Sequence, residues 1–445
     1  MLKNYLKLAI KVLGRHKFFT FISLFGISFT LMILMLATAF FESELGSHPP
    51  LSKKDQMIFT PTLSMSKEYQ DTTLIIDTSY IDNVANYDTS YNYKSAGKSM
   101  SRSSISYTFL TTHLSDIPFV EKMSIYSTGN SYDIFINNKK VNFSAIYTDA
   151  KYWEIYDFDF LSGKSYGQSV IDNQEQIVVI SKKASLDYFG TTEQVIGKEI
   201  VLDGKHFKVV GIVEPGTASM SEVNAEVYLP LTHVDPKKLK DTDYLGDFEA
   251  VYLAADQAYA LKAKMEINQK ESRIPLPEAG RNFNILDVEA MTFMERYASS
   301  IIPSDKPEDN LKVLFGVISF FLILFFLLPT LNLINLNVSR IMERSSEIGV
   351  RKAFGASSKT ILFQFVFENI ILTIIGGIIG FALALILIYV INDSQVLEDT
   401  LLRFNYTVFL YSLVICLFFG ILSGLIPAWR MSRVHIVAAL KQNQL

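Results

Sequence analysis

The sequence is short of several things that would announce a simple class. It has one cysteine in 445 residues, Cys416, which excludes a disulfide-stapled scaffold. Its 41 basic and 45 acidic residues leave a net charge of −4, which argues against a general polyanion or nucleic-acid binder. Gly 22 and Pro 13 are too few for a collagen or a low-complexity chain. It holds no P-loop: Gly163-Lys164-Ser165 resembles the end of one, but Phe158 stands where the first glycine belongs. His48, His113, His206 and His233 are scattered, with no H-E-x-x-H pattern and no Cys partner, so no metal site is expected. Gly163-Lys164-Ser165-Tyr166-Gly167 fits G-x-S-x-G, a pattern that needs a strand before and a helix after. The polar residues 168–173 read as a surface turn instead, so no catalytic residues are assigned.

Charge is also missing locally. Four apolar runs, Phe18–Phe41, Val313–Leu336, Ile361–Ile391 and Tyr406–Trp429, hold the excess behind a mean hydropathy of +0.23. Each is long enough to cross a bilayer core, which takes about 20 residues as helix. Lys3, Lys7, Lys11, Arg15 and Lys17 flank the first run. Arg340, Arg344, Arg351, Lys352 and Lys359 sit between the second and third, and Arg430, Arg433 and Lys441 follow the fourth. The positive-inside rule puts these segments in the cytoplasm and the region after the first run outside. The first run exceeds the roughly 7–15 residues of a signal-peptide core, so it reads as a retained anchor. Leu2, Leu6, Ile10 and Leu13 oppose the lysines at helical spacing, as in a basic helix lying on membrane lipid.

The expected fold is therefore an α-helical membrane protein with four transmembrane helices and a large α+β extracytoplasmic domain inserted between helices 1 and 2. The chain divides into 1–17, a cytoplasmic amphipathic helix; 18–41, the first transmembrane helix; and 42–310, the outer domain, in two subdomains. Then come 311–337, the second helix; 338–359, a cytoplasmic loop; 360–391, the third helix; 392–404, a short outer loop; 405–428, the fourth helix; and 429–445, the tail. In the outer domain Leu74–Ile76 is the best strand of an otherwise polar stretch, 51–109. Hairpins are expected over 132–146 and, across Asp203-Gly204, over 199–213. Strands are expected at 176–181 and 227–230, and helices at 184–189, 259–271 and 288–297.

The loop 338–359 is the richest in pattern. Glu343 and Glu347 lie one helical turn apart, as do Arg340 and Arg344. Glu347 precedes Arg351 in the favourable i, i+4 order, and Gly355 reads as a helix stop. Spacing alone leaves two readings open, a docking segment or a solvated topogenic loop. Asn332 and Asn335 are placed for an interhelical hydrogen bond. Gly376, Gly377 and Gly380 allow close helix approach, within the chain or across a dimer.

Glu343-Arg344, Glu347-Ile348-Gly349, Arg351-Lys352, Gly355-Ala356, Glu368 and Gly376-Gly377-Ile378-Ile379-Gly380 together resemble the membrane signature of the MacB/FtsX-type ABC transporter permeases. The tail Ile426-Pro427-Ala428-Trp429-Arg430 is similar to that family's C-terminus, although Ile436 stands where proline is common. Segments 152–163, 178–190 and 196–230 resemble the family's periplasmic core domain. The resemblance is thin over 51–109 and 256–302. It implies a bacterial inner-membrane permease with both termini cytoplasmic. The ATPase-coupling residues would be Glu343, Arg344, Glu347, Ile348, Gly349, Arg351, Lys352, Gly355 and Ala356. The implied partners are a cytoplasmic ABC ATPase dimer and a second copy or a related permease. A membrane-fusion adaptor or extracytoplasmic protein is left open. No cofactor is expected in this chain; ATP and Mg would sit on the ATPase, a separate subunit, since no nucleotide-binding motif occurs here and the chain is not expected to be an enzyme. The implied work is mechanotransmission, serving export, efflux or lipoprotein handling. An FtsX-like regulator of cell-wall hydrolases and a membrane-anchored sensor are the alternatives.

Overall fold

The computed structural model describes residues 14, 17–81, 84–136, 139–214, 216, 220–276, 283–302, 308–324, 327, 350 and 354–394, with scattered positions from 402 to 421. The chain forms two compact units, Ser47–Lys312 and a helical unit made of Met1–Gly46 with Val313–Leu445.

Helix α1 (Lys17–Leu45) opens the helical unit. Its polar side chains are satisfied on its own backbone. Ser28 Oγ donates to Phe25 O at 3.1 Å, Thr30 Oγ1 to Gly26 O at 2.7 Å and Thr38 Oγ1 to Met35 O at 3.0 Å, as an apolar surrounding demands.

The inserted unit is built on a ten-stranded sheet, counted among the described residues. Its strands are β1 (Met57–Thr60), β4 (Val120–Ile136), β5 (Lys139–Thr148), β6 (Phe160–Gly163), β7 (Ile177–Ser181), β8 (Glu199–Leu202), β9 (Lys205–Val213), β10 (Val227–Pro230), β12 (Glu249–Ala254) and β14 (Met291–Thr292). They run in the order β14-β1-β12-β4-β5-β10-β7-β9-β6, with β8 also on β9. A second sheet, β11-β3-β2-β13, joins β2 (Leu63–Ile81), β3 (Val84–Ile105), β11 (Leu245–Gly246) and β13 (Ile285–Val288). β10 is parallel to β5 and β7 to β9; the other pairs are antiparallel.

Two apolar clusters sit on this frame. One gathers Val178, Ile180, Ile200, Phe207, Val209 and Leu229 around β7, β9 and β10. The other gathers Ile58, Phe109, Tyr252 and Leu286 under helix α2 (Gln257–Glu271). α2 begins where the Asp256 carboxylate accepts the Tyr259 N–H at 2.8 Å, and it buries Ala260, Ala263 and Ile267 at helical spacing.

The hairpin β8–β9 turns through Asp203 (φ 49°) and Gly204 (φ 72°), both left-handed, as a two-residue Asp-Gly turn requires. The helix Lys182–Phe189 ends on Gly190 (φ 73°), as its sequence predicts. Three expectations need correction. In the stretch 51–109 the strand expected at Leu74–Ile76 is one part of a much longer strand, β2, paired with β3. No helix starts at Val288: β13 ends there, β14 follows, and helix α3 spans Phe293–Ile301. The G-x-S-x-G turn does follow a strand, β6, and a five-residue helix, Gln168–Asp172, follows it. The histidines are occupied elsewhere. His206 pairs with Glu199 at 2.9 Å, His233 contacts Glu175 O at 2.9 Å, and His113 lies against Phe109 and Tyr244.

After α3, residues 308–324 are helical, and helix α5 (Ser358–Ser394) closes the described chain but for scattered helical positions between 406 and 421. Helix 308–324 is α4. Among the described residues, two helices are long and apolar enough to cross a membrane, Thr20–Leu45 and Lys359–Ser394. Residues 1–13 and most of 325–349 and 422–445 lie outside the described residues. So do the expected amphipathic helix, most of the loop 338–359 and the tail.

Candidate functional site

The chain enters and leaves the inserted unit through neighbouring strands. β1, soon after Ser47, pairs antiparallel with β14, shortly before Lys312, setting Ile58 opposite Thr292 and Phe59 opposite Met291. The entry segment is fixed on both sides. The Asp157 N–H donates to Pro50 O at 3.2 Å, the Ser52 N–H donates to Asp157 Oδ1 at 3.3 Å, and the buried Lys54 ammonium stands 4.9 Å above the Phe293 ring.

The exit segment is held by charge. Thr292 and Glu295 form a reciprocal capping box at the start of α3. The Thr292 N–H donates to Glu295 Oε2 at 2.7 Å, and Lys264 of α2 donates to both oxygens of the same carboxylate at 2.7 and 2.8 Å. One residue on, Arg296 reaches into the domain. Its Nη2 donates to Glu249 Oε2 of β12 at 3.0 Å and its Nε to Glu222 Oε1 at 3.4 Å. Both carboxylates are buried, Glu222 at 1% exposure and Glu249 at 6%. Burial alone would lower the Arg296 pKa, but Glu222 and Glu249 outweigh it and push it up, so the guanidinium is a fixed cation.

The surrounding layer is aromatic. Tyr126, Tyr152, Tyr156 and Tyr228 are fully buried, and Tyr126 and Tyr152 meet edge-on at 5.9 Å. The Tyr152 hydroxyl donates to the Glu222 carbonyl. Burial first, and then the carboxylates of Glu222 and Glu249, raise Tyr126 and Tyr156 well above the ordinary phenol range, with Tyr156 adding to the rise at Tyr126, so both stay protonated. A latch of this kind can transmit displacement between α3 and the sheet.

Beside it lies an open cleft of about 510 Å³ lined by Lys264, Glu271, Asp287, Glu289, Asp309 and Lys312, among others. Glu289 is tied to Arg102 and accepts the Thr62 hydroxyl at 2.7 Å. Burial pushes the Glu271 carboxyl up to about 7, against the Val288 N–H that donates to it at 2.9 Å, with Asp287 adding to the rise. Among the described residues no cluster of His, Cys, Asp and Glu is arranged to hold a metal.

In the helical unit α1 packs on α5 through small residues. A Cβ on Gly380 would stand 2.6 Å from the Ser28 carbonyl oxygen, and one on Gly376 would stand 2.7 Å from Ile27 Cγ2. Both glycines therefore serve contact within the chain, one of the two roles open from sequence. Gly377 faces Leu413 and Leu31 at ordinary to tight contact. Ile27, Leu31, Ile371 and Leu372 fill the same seam. Glu368, buried, accepts from Gln364 Nε2 at 3.0 Å. Of the expected coupling residues Gly355 and Ala356 are described. Val350 is helical, the Phe354 N–H donates to Val350 O at 3.0 Å, and Gly355 (φ 89°) takes the left-handed conformation that ends a helix. The Ser357 hydroxyl then accepts the Thr360 N–H at 3.2 Å at the start of α5. Glu343, Arg344, Glu347, Ile348, Gly349, Arg351 and Lys352 lie outside the described residues, as do Asn332 and Asn335.

Sequence reasoning missed Arg296, Glu222 and Glu249. Their partners lie 74 and 47 positions apart in the chain, and only the Thr292-x-x-Glu295 capping box gave a local signal.

Two family matches span most of the chain. Residues 20–270, more than half of it, match the MacB-like periplasmic core domain, and residues 319–436 match the FtsX-like permease C-terminal. A macrolide export ATP-binding/permease protein MacB of Acinetobacter baylyi is 25% identical over 333 residues, 74% of this chain and 47% of that protein. An ABC transporter permease YvrN of Bacillus subtilis is 25% identical over 337 residues, 73% of this chain and 76% of that protein. The chain spans about half the length of the MacB and PvdT relatives it matches. The solved periplasmic region of MacB from Actinobacillus actinomycetemcomitans aligns with a TM-score of 0.30 at 18% identity, covering 38% of this chain and 72% of that one. With an apolar helix at each end of the inserted domain, and both family matches in register with those parts, the chain belongs to the ABC transporter permeases that carry a MacB-like periplasmic core domain and an FtsX-like C-terminal segment.

Proposed function

We propose that this chain is the permease subunit of a MacB-like transporter. A separate cytoplasmic ATPase grips the loop 338–359, and ATP hydrolysis there moves the periplasmic domain, which does the work of export or lipoprotein handling. The observation that carries this reading is the pairing of β1 with β14 beside the Arg296 latch. Both connections to the helical unit are tied to one edge of one sheet, so displacement of either segment is delivered to the sheet as a whole. The Gly355 stop and the Ser357 cap give the loop a defined end before α5.

The reading includes four membrane-crossing helices, both termini in the cytoplasm, and residues 42–310 outside. Glu343, Arg344, Glu347, Gly349 and Arg351 are the contact residues for the ATPase, with Ile348, Lys352, Gly355 and Ala356 shaping the segment. The second permease is another copy of this chain or a relative, and ATP and Mg are bound by the ATPase. The experiment is co-purification of the tagged full chain from its native membrane, with identification of its partners by mass spectrometry. An ABC ATPase at one to one with the permease, lost in Glu347→Lys, is expected. A chain that brings down a cell-wall hydrolase and no ATPase would favour the regulator reading, and one that brings down neither would sink the transporter reading.

A further inference from the structure

The C-terminal end of α5 is tied to a residue well beyond it. Asn392, in the last turn of that helix, makes two hydrogen bonds to the backbone of Leu402, ten residues on. Its Nδ2 donates to Leu402 O at 3.0 Å, and its Oδ1 accepts the Leu402 N–H at 3.0 Å. A carboxamide presents a donor and an acceptor side by side, as the backbone of a paired strand does. Here it satisfies both main-chain groups of one residue, at a partly buried place where an unpaired backbone group is costly.

Leu402 is the residue so fixed. Its side chain is 5% exposed and shares one apolar cluster with Ala39 of α1 and Ile388 of α5, against which Leu36 and Ile391 also pack. From Ile27 with Gly376 to Ala39 with Ile388 the contacts advance in the same direction along both helices, so α1 and α5 run parallel. Their C-terminal ends therefore lie at the same end of the pair. Ala39 stands six residues before α1 ends at Leu45, about 9 Å along the axis, and the inserted unit begins at Ser47. The residue that Asn392 holds thus bears on the last turns of the helix from which the chain enters the periplasmic domain.

We propose that Asn392 is a positioning residue for the permease's mechanical coupling. By holding Leu402 against Ala39 and Ile388, it makes α1 and α5 move as one at the end from which the chain enters the periplasmic domain. The inference deepens the permease reading and rests on it. α5 follows the loop 338–359 directly, so a displacement made by the ATPase reaches this helix first. The Gly376 and Gly380 contacts pass it to α1 at Ile27 and Ser28, far from the helix's end. The Leu402 contact passes it to Ala39, close to the domain. When Leu402 is released, the last turns of α1 lose the side chain that joins them to α5, and α1 is free to lag behind.

The test uses the full permease–ATPase complex in lipid nanodiscs. Hydrogen–deuterium exchange over the entry segment 46–60 is measured by mass spectrometry with and without ATP and Mg, beside the rate of ATP hydrolysis. Asn392→Leu keeps the side chain's volume and makes neither bond. Leu402→Ala removes the held side chain, and Leu402→Met keeps its volume. The expected result is an ATP-dependent change in exchange in the parent and in Leu402→Met. That change falls several-fold in Asn392→Leu and in Leu402→Ala, while hydrolysis stays close to the parent's. Adding Asn392→Leu to Leu402→Ala costs nothing further, because Asn392 acts through Leu402. A change in exchange that survives in Asn392→Leu overturns the proposal and leaves the permease reading intact. So does an additive double variant, and so does a parallel loss of hydrolysis and exchange, which marks a purely structural role. A parent that hydrolyses ATP with no change in exchange overturns the mechanical reading and this proposal with it, while ATPase co-purification judges the permease reading separately.

Discussion

Arg296 lies 3.0 Å from Glu249, joining the helix that leaves the periplasmic domain to a central strand of its sheet. The same guanidinium reaches Glu222, so one cation faces two buried carboxylates. Removing it takes the cation away from both. Arg296→Ala is expected to destabilise the domain by about 3–5 kcal/mol, the usual consequence of breaking a buried pair from one side. The Arg296→Met, Glu222→Gln, Glu249→Gln triple variant, which leaves no charge there, should recover most of that loss. Thermal unfolding of the detergent-solubilised chain checks both. If Arg296→Ala melts within a degree of the parent, the latch bears no load.

The glycines of α5 make a graded prediction. At Gly380 the first obstacle to a Cβ is backbone, the Ser28 carbonyl at 2.6 Å, which cannot step aside without moving α1. At Gly376 it is the Ile27 side chain, with Cγ2 at 2.7 Å and Cβ at 2.9 Å; rotation moves the methyl but not Cβ. Gly380→Val should therefore separate the helices and cost about 1–3 kcal/mol or more, with Gly376→Ala clearly milder. Rates of thermal aggregation in detergent would rank the two; the reverse order would show that the seam does not depend on Gly380.

Glu271 gives a pH dependence with a definite sign. Its folded pKa, about 7, is above the ordinary 4.5, because burial favours the neutral acid. The folded state thus holds the proton more tightly than the unfolded one. The resulting stabilisation is fully present below about 4.5 and is lost as pH rises through 7. Glu271→Gln keeps an oxygen for the Val288 N–H and removes the charge. It should melt a few degrees above the parent at pH 8, with the gap closing toward pH 4.5. A gap that stays constant with pH would assign the effect to something other than titration.

Much of this architecture is written locally. Ile177–Ile180 is an unbroken apolar run, and the strand is buried throughout; Asp203-Gly204 sets its own turn; Gly190 marks its own helix end. Such features need only neighbours in sequence. The misread segment 288–297 shows the limit. Its apolar spacing suits a helix, yet Val288 is taken by pairing with Leu63, 225 residues earlier (288 − 63), and Thr292, as N-cap, postpones the helix to Phe293. The long pair β2–β3 was hidden for another reason. Its strands alternate tyrosine with serine, threonine and asparagine, a pattern with little apolar contrast, and they are defined by each other's register. The latch was least legible, since Arg296, Glu249 and Glu222 look like ordinary surface charges until three distant segments converge.

The last prediction concerns the stop before α5. Gly355 has φ 89°, outside the range a β-branched residue tolerates, and the Ser357 cap follows it within two residues. Gly355→Val carries a local penalty of about 1–2 kcal/mol, which the chain escapes by continuing the helix past Phe354. The loop would then meet α5 at a different angle, and the proposed ATPase contact would be misaligned although no contact residue has changed. Gly355→Asn, which tolerates the left-handed region, should behave like the parent. The measurement is ATP hydrolysis by the reconstituted permease–ATPase complex, beside the amount of ATPase retained on the tagged permease. Loss of hydrolysis or retention in Gly355→Val, with recovery in Gly355→Asn, is expected. Equal activity in all three would mean that the loop's end point does not set the coupling geometry.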